Sequence, residues 1–508
     1  MVPFIFLASS IFIPFNDNWH HIAENVLLDY FVNSLSLAIG VGFCTFIIGT
    51  TTAWLTSVYD FPFRKIISWL LLMPLAMPAY IIAITYVGII DSTSFLPDIR
   101  NLFGAIIMIS LVLYPYVYIL ARGAFLEQSK ELHENSQILG ASQFQIFLKV
   151  SIPMARPAII LGVTLAAMEA LADFGTVEFL GVSTFTTGIF RTWFGMNDTV
   201  TATQMATLLL SIVFIFVFIE QQSRKKVRYS ENIKTQSKLN YRITSKKNNF
   251  FIAVICIFPI AFGFIIPFLQ LIYWSIFISN ESWDSDFFSI VNDTLLLAFL
   301  ASIIITIISL LITYIKRFSP KSITNKFMQI ITLGYAIPGP VVAIAVLIPF
   351  AALDNYINQI LVVKFNFSLG LIFSGTFFIL IFAYCIRFLT VSSRTISSGL
   401  ESISLATDDA AKSLGASTKN ILIKIHFPML KTSLLTSFLI VFIDVMKELP
   451  LTSILRPFNF NTLSVKAFEL ASDEKIADAS NAAIMIVLAG IIPVILITKN
   501  ILGKRNKV

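Results

Sequence analysis

Cysteine is nearly missing. The three residues present, Cys44, Cys256 and Cys385, lie far apart, each inside an apolar run. That excludes a disulfide framework and a CxxC metal site, and leaves packing as their reading. Histidine is as scarce: His20, His21, His133 and His426 all fall in expected loops, where His20 and His21 could meet an arriving metal but solvation is the plainer expectation. Charge is sparse, with 13% Asp, Glu, Lys and Arg against 56% hydrophobic residues, which rules out a soluble enzyme of ordinary composition. No GxxxxGK[ST] stretch occurs, so the chain lacks the phosphate loop by which ATP is usually bound and hydrolysed. The first residues, MVPFIFLASSIFIPF, have an apolar run but no basic leader and no small-residue cleavage site, which argues against a removable signal peptide.

What is present is hydrocarbon in long runs. Apolar stretches of about 20 residues, enough to cross roughly 30 Å of lipid as helix, recur along the whole chain. They fall near 2–15, 31–58, 66–90, 101–121, 157–176 and 200–219, and again near 250–278, 294–315, 327–350, 368–390, 432–455 and 482–498. The first is short for a span. The expected fold is all-α and integral to a membrane, with about twelve transmembrane helices in two sets of six. Between the sets, residues 221–249 carry nine Lys or Arg, one Glu and no apolar periodicity. This reads as a linker, dividing the chain into 1–222, 223–249 and 250–508. With the N-terminus inside, 29 of the 36 Lys and Arg fall on the inner side, so the positive-inside rule places both termini in the cytoplasm. The same rule accounts for the basic linker without any nucleic acid.

Two sets of six invite a search for duplication. ENSQILGASQFQIFLKVSIP, from Glu134 to Pro153, lines up with DAAKSLGASTKNILIKIHFP, from Asp409 to Pro428, at an offset of 275. Gly140 falls on Gly415, Ala141 on Ala416, Ser142 on Ser417 and Pro153 on Pro428. The same offset places Glu169 on Asp444, Asp173 on Glu448, Phe185 on Phe460, Thr187 on Thr462 and Arg191 on Lys466. Six spans separate the copies, so the repeats run parallel.

Each copy opens a helix with acidic residues, Glu134 in one and Asp408 and Asp409 in the other, which complement a helix N-terminus. Gly140 or Gly415 follows after about one and a half turns and, costly within a helix, is expected to end it in a left-handed conformation. A second short helix follows, and Pro153 or Pro428 stands at the start of the next span. The expectation is a polar elbow with a Gly-Ala-Ser apex, twice per chain. An interfacial connector would be amphipathic too, but would not repeat the apex at a fixed distance from a proline. A repeated knob suits a two-fold partner.

These segments resemble the EAA loop of ABC-transporter permeases: Glu-Ala-Ala, three residues, Gly, then a proline thirteen residues on. The second copy keeps Ala410 and Ala411 with Asp409 for Glu; the first keeps Glu134 but has Asn135 and Ser136. MEALADFGTVEFLGVSTFTTGIFRTWFG, DVMKELPLTSILRPFNFNTLSVKAFELASDE and LLMPLAMPAYIIA are similar to segments of fused ferric-iron permeases of bacterial inner membranes. The resemblance implies two copies of a separate ATP-binding subunit carrying the ATP and Mg, a periplasmic iron-binding protein, and no catalytic site or cofactor on this chain. Thiamine or another small cation is the alternative cargo, and an ion-coupled secondary carrier the alternative class.

For a pathway, ionisable residues in spans are the default candidates. Glu169 lies twelve residues beyond Pro157, roughly 18 Å along a helix, with Asp173 one turn on along the same face. Asp444 and Glu448 repeat the spacing, so four carboxylates could line a route for a hard cation. The plainer reading is local pairing near helix ends, for instance Glu448 with Lys447. No metal site is assigned. Tyr80, Tyr86 and Tyr116 are further oxygen donors, with packing the plainer reading.

Overall fold

The computed structural model describes residues 2–93, 97–128, 130–225, 242–243, 246–281, 283–318, 334 and 337–503. Helix dominates, and two short strands, Tyr59–Asp60 and Arg242–Ile243, pair in parallel. Among the described residues, nine helices are long and apolar enough to cross a membrane, or ten if a bent pair counts as one span. They are Leu27–Val58, Leu102–Leu126, Gln143–Ala172, Thr199–Phe218, Asn248–Phe277, Ser285–Phe318, Gly339–Phe365, Phe377–Glu401 and Thr418–Met446.

The shortfall from twelve has local causes. The expected span at 2–15 is only the helix Val2–Ser9 followed by one tight turn, Ser10–Phe12. The expected span at 66–90 is the bent pair, Arg64–Ala76 and Ala79–Asp91, which meet at 91°. Pro74 and Pro78 interrupt the hydrogen-bond ladder there, and Pro78 caps the second piece in extended conformation. The last candidate falls on the helix Ser480–Gly503, whose apolar stretch is Ser480–Leu496. Most of the linker and the start of the expected span at 327–350 lie outside the described residues. Its described part begins a helix at Gly339 that runs on to Phe365, well past the expected end.

By contacts the chain forms two compact units, Met1–Ser9 with Ser282–Lys466 and Leu488–Val508, and Ser10–Glu281 with Ala467–Val487. In the second of these, Leu27–Val58, Leu102–Leu126 and Ile152–Ala172 pack together as three helices. The packing is close because both flanks of Val117 are glycine. A Cβ on Gly162 would sit 2.7 Å from the Val117 Cα, and one on Gly49 2.6 Å from its Cβ. Small residues let helix backbones approach where lipid gives no hydrophobic drive to pair.

In the other unit, Ser285–Phe318, Phe377–Glu401 and Phe427–Met446 form the same kind of triad. Serines stand at its crossing. Ser392 and Ser437 share a hydroxyl hydrogen bond of 2.6 Å, and the Ser309 hydroxyl donates to the Leu389 carbonyl at 3.5 Å. Ser392 and Ser437 lie 275 residues beyond Val117 and Gly162, whereas Ser309 lies 260 beyond Gly49. The fifteen-residue change in offset falls where Gly339–Phe365 outruns Ala79–Asp91. There Asp354 accepts from the Phe373 and Ser374 amides at 3.0 and 2.8 Å, and Asn358 accepts from the Leu369 amide at 2.9 Å, fastening the extra loop.

Candidate functional site

Both elbows form around their glycines, with first helices that open at Lys130 and Leu405, four residues before Glu134 and Asp409. In the first, the helix Lys130–Ile138 ends at Gly140, whose φ of 81° is left-handed; in the second, Leu405–Ser413 ends at Gly415 with φ 80°. The closing hydrogen bonds match pair for pair. Ala141 N–H donates to the Ser136 carbonyl at 3.1 Å and Gly140 N–H to Gln137 at 2.9 Å, while Ala416 donates to Ala411 at 3.0 Å and Gly415 to Lys412 at 2.9 Å. This is a Schellman closure, which satisfies carbonyls that a helix end leaves orphaned. The next helix is capped by serine in both copies: Ser142 accepts from Gln145 N–H and Ser417 from Asn420 N–H, each at 3.3 Å. Gly140, Ser142, Pro153, Gly415, Ser417 and Pro428 are exposed, and Ala141 and Ala416 half-buried. Glu134, Asp409 and Ala410 are exposed, whereas Ala411 is buried, and Asp409 pairs loosely with Lys412 at 3.9 Å. At the apex, Leu139 is 87% exposed and Leu414 89%.

Two details depart from expectation. The second limb of each elbow is not a separate short helix but the opening of a long one, Gln143–Ala172 or Thr418–Met446. Pro153 and Pro428 are absorbed by one widened turn each, Phe147–Ser151 and Leu422–His426, where Ile152 N–H reaches back five residues to Phe147 and Phe427 N–H to Leu422. A proline ring clashes with the carbonyl four residues before it, and widening the turn relieves that clash without ending the helix. His133 and His426 are also not solvated loop residues. Both are buried, one in the seat of each elbow.

The seats differ in chemistry. Under the first elbow, the His133 ring stacks on Trp54 with centroids 5.3 Å apart, its Nε2 lies 3.3 Å from Gln128 Oε1, and Gln128 Nε2 donates to the Ser151 carbonyl at 3.0 Å. Burial pushes the His133 imidazole below its ordinary pKa, favouring the neutral ring. Under the second, Asp408 is buried and receives Arg317 Nε and His426 Nε2, each at 2.7 Å. Burial alone would raise the Asp408 pKa, but the hydrogen bonds from Arg317 and His426 outweigh it and hold the carboxyl below its ordinary range. Trp54, Gln128 and Arg317 carried no signal of their own in the sequence. Their roles depend on helix neighbours from another part of the chain.

The four pathway carboxylates fall into two kinds. Asp173 has left its helix, which ends at Ala172, so it does not continue the Glu169 face. It accepts from the Thr176 and Val177 amides at 2.9 and 3.2 Å and from the Thr176 hydroxyl at 2.9 Å, capping the short helix Gly175–Phe179. Glu448 does the same for Pro450–Leu455, accepting from Leu451 N–H at 3.1 Å, and it pairs with buried Arg387 at 2.8 Å. Asp444 pairs with Lys447 at 2.9 Å. Glu169 is half-buried and has no hydrogen bond or ion pair among the described residues. Arg387 sits inside the helix Phe377–Glu401 as an ionisable residue in a span. Tyr86 donates to the Phe262 carbonyl at 2.7 Å and Tyr80 packs edge-on against Phe468, so both serve packing. Among the described residues no group of three His, Cys, Asp or Glu could hold a metal.

Beyond Asp173 and Glu448 the repeat changes register. Thr186 donates to the Asp173 carbonyl at 2.7 Å and Phe185 N–H to Ser34 at 3.0 Å; Ser464 donates to the Glu448 carbonyl at 2.9 Å and Leu463 N–H to Thr294 at 3.0 Å. The structural partners are therefore Phe185 with Leu463 and Thr186 with Ser464, an offset of 278 rather than 275. The pairings of Phe185 with Phe460, Thr187 with Thr462 and Arg191 with Lys466 do not survive, because the second half carries three extra residues before this helix.

The family model of the binding-protein-dependent transport system inner membrane component matches residues 45–229 and again 311–507. The chain belongs to this family. It is an ABC-importer permease subunit. This permease is 27% identical over 479 residues to the Fe(3+)-transport system permease protein FbpB 2 of Haemophilus influenzae, covering 92% of this chain and 89% of the other. It is 22% identical over 505 residues to the ferric transport system permease protein FbpB of Actinobacillus pleuropneumoniae, covering 90% and 66%. A probable sulfate transport system permease protein cysT of Chlorokybus atmophyticus is 27% identical over 220 residues, covering 40% of this permease and 76% of the relative. Each elbow lies inside one of the two family matches.

Proposed function

We propose that this permease is the membrane-spanning subunit of an ATP-driven importer of ferric iron, in the bacterial inner membrane with both termini in the cytoplasm. Two copies of an ATP-binding subunit would seat on the two elbows, and a periplasmic iron-binding protein would deliver the cargo. The observation that carries the reading is the pair of elbows, with the same left-handed glycine, the same closing hydrogen bonds and the same exposed leucine at the apex. Each elbow runs unbroken into a helix long enough to span, so a push at the apex is delivered along the helix that bears Glu169 or Asp444. The match of one family model to both halves supports twelve spans arranged as two parallel six-helix repeats.

Iron rather than another cargo rests on the two ferric permease relatives, each aligned along at least 90% of this chain, whereas the sulfate relative aligns along 40%. Carboxylates at Glu169 and Asp444 suit a hard cation better than an anion. Thiamine or another small cation stays the alternative, tested by the binding protein that stimulates hydrolysis.

The elbow reading is tested by Gly415→Asp and Gly140→Asp. No neighbour crowds either glycine, so an added carboxylate strains the turn and places charge at the apex without touching the spans. The expected result is loss of the ATP-binding subunit from the purified permease, and of uptake, at an unchanged amount of protein in the membrane. Normal uptake in both variants would overturn the reading.

A further inference from the structure

The two elbows share a backbone but not a foundation. The offsets of 275 and 260 put His133 opposite Asp408, Ser151 opposite His426, Trp54 opposite Tyr314 and Ser57 opposite Arg317. The first foundation is an aromatic stack and an amide chain. In the second, one guanidinium makes a fan of contacts. Arg317 donates Nε to Asp408 Oδ2 at 2.7 Å, Nη1 to the Leu400 carbonyl, and Nη2 to the Ile403 carbonyl at 2.9 Å and the Ser404 carbonyl at 3.5 Å. Leu400, Ile403 and Ser404 form the turn leading into the elbow helix Leu405–Ser413, and Asp408 lies on that helix. His426 closes the set from the opposite limb, at the end of the widened turn before Pro428, donating Nε2 to Asp408 Oδ1 at 2.7 Å, with its ring edge-on to Tyr314. Three pieces of chain, the Ser285–Phe318 helix and both limbs of the elbow, thus meet at one buried carboxylate.

We infer that Arg317, Asp408 and His426 are an ionic clamp that positions the second elbow against its span, so that the two elbows transmit motion through foundations of different chemistry, one ionic and one neutral. The three are positioning residues: they act through the orientation of the apex around Gly415 and need touch neither partner nor cargo. The consequence for transport rests on the proposed docking role of the elbows, but the clamp itself does not. A buried ion pair is most damaging when one partner alone is removed, because the other is left as an uncompensated charge. The order of effects among variants therefore separates an ionic clamp from ordinary packing.

The test has two arms. In the first, the purified permease alone is treated briefly with trypsin, which can cut the second elbow at exposed Lys412 and Lys419 and the first elbow at exposed Lys149. Arg317→Gln is expected to speed cleavage at Lys412 and Lys419 about ten-fold with Lys149 unchanged, and Arg317→Gln with Asp408→Asn to recover to within about three-fold of the parent. Arg317→Lys, which keeps the charge but not the fan, is expected to fall between, and serves if Arg317→Gln fails to accumulate. Cleavage that is equal in all variants, or a double variant as labile as Arg317→Gln alone, would overturn the clamp. In the second arm, ATP hydrolysis stimulated by the loaded binding protein is measured per ATP-binding subunit retained, and is expected to follow the same order. If trypsin shows the order and hydrolysis does not, the clamp stands and the docking role of the elbow falls.

Discussion

At Gly415 the backbone is left-handed, with φ 80°, and an added Cβ would meet nothing within 4 Å. Substitution there tests conformation alone. Gly415→Ala is expected to destabilise the turn by roughly 1 to 2 kcal/mol, the cost of a left-handed L-residue, and Gly415→Asn by clearly less because Asn tolerates that region. Retention of the ATP-binding subunit on purified permease should rank parent, Asn, Ala. Asp408 adds a pH dependence whose sign follows from its depressed pKa. A carboxyl lowered on folding contributes stability that is complete above its unfolded value, 3.8, and is lost as pH falls through the lower folded value. Hydrogen exchange across Leu405–Ser413, corrected for intrinsic rates, should show protection at about pH 5 that is lost as pH falls below the unfolded value, and Asp408→Asn should flatten that profile. The acidic residues of the elbows do not open their helices, which start four residues before Glu134 and Asp409 at Lys130 and Leu405, but the glycines were legible in the sequence because their requirement, a φ sign, is local. Arg317 and Arg387 were not, since the carboxylates that explain them lie 91 and 61 residues away. Glu169 shifts meaning for a related reason. With Asp173 and Glu448 occupied as helix caps, their neutralisation becomes a stability experiment, and the pathway test moves to Glu169→Gln. The expected outcome is slower iron uptake with the ATP-binding subunit still bound.

Helices were legible in kind but not in extent. Hydropathy marks where hydrocarbon begins, and it placed the fifth span of each set at 157 and 432. The helices in fact start at Gln143 and Thr418, because a widened turn carries them through Pro153 and Pro428. That continuity matters for function, as a rigid rod transmits a displacement that a loose joint would absorb. The pair around Pro78 shows the opposite outcome: two prolines four residues apart bend the chain by 91° instead. Packing between helices was invisible, since Gly162 within IILGVTLAAME gives no sign of which helix it meets. It meets Val117, with 2.7 Å from a built Cβ to the facing Cα. Gly162→Leu is therefore expected to force the three-helix core apart and to lower stability by about 3 kcal/mol or more, read as a fall in the melting temperature of the purified permease. The corresponding Ser437 hydrogen-bonds Ser392, so Ser437→Ala is expected to cost only about 1 kcal/mol.

Across the whole molecule, duplication was the most productive signal in the sequence, and also where a simple reading overreached. One offset of 275 fits the elbows, but the structure needs 260 before the long Gly339–Phe365 helix and 278 beyond the Asp173 and Glu448 caps. Insertions at loops shift the register while leaving hydrogen-bond partners in place, so equivalence is read from contacts such as Ser464 to the Glu448 carbonyl, not from residue count. The halves are alike in their elbows and three-helix cores, and unlike in their foundations. A permease of this kind is expected to carry one motor-driven route between two halves whose elbows rest on different chemistry. ATP-driven iron import is tested by uptake of radiolabelled ferric iron into proteoliposomes holding the permease, its ATP-binding subunit and the iron-loaded binding protein. Uptake that requires ATP, is abolished by Gly415→Asp and is not matched by labelled thiamine is the predicted result. Uptake without ATP, or ATP-dependent uptake of thiamine with none of iron, would contradict it.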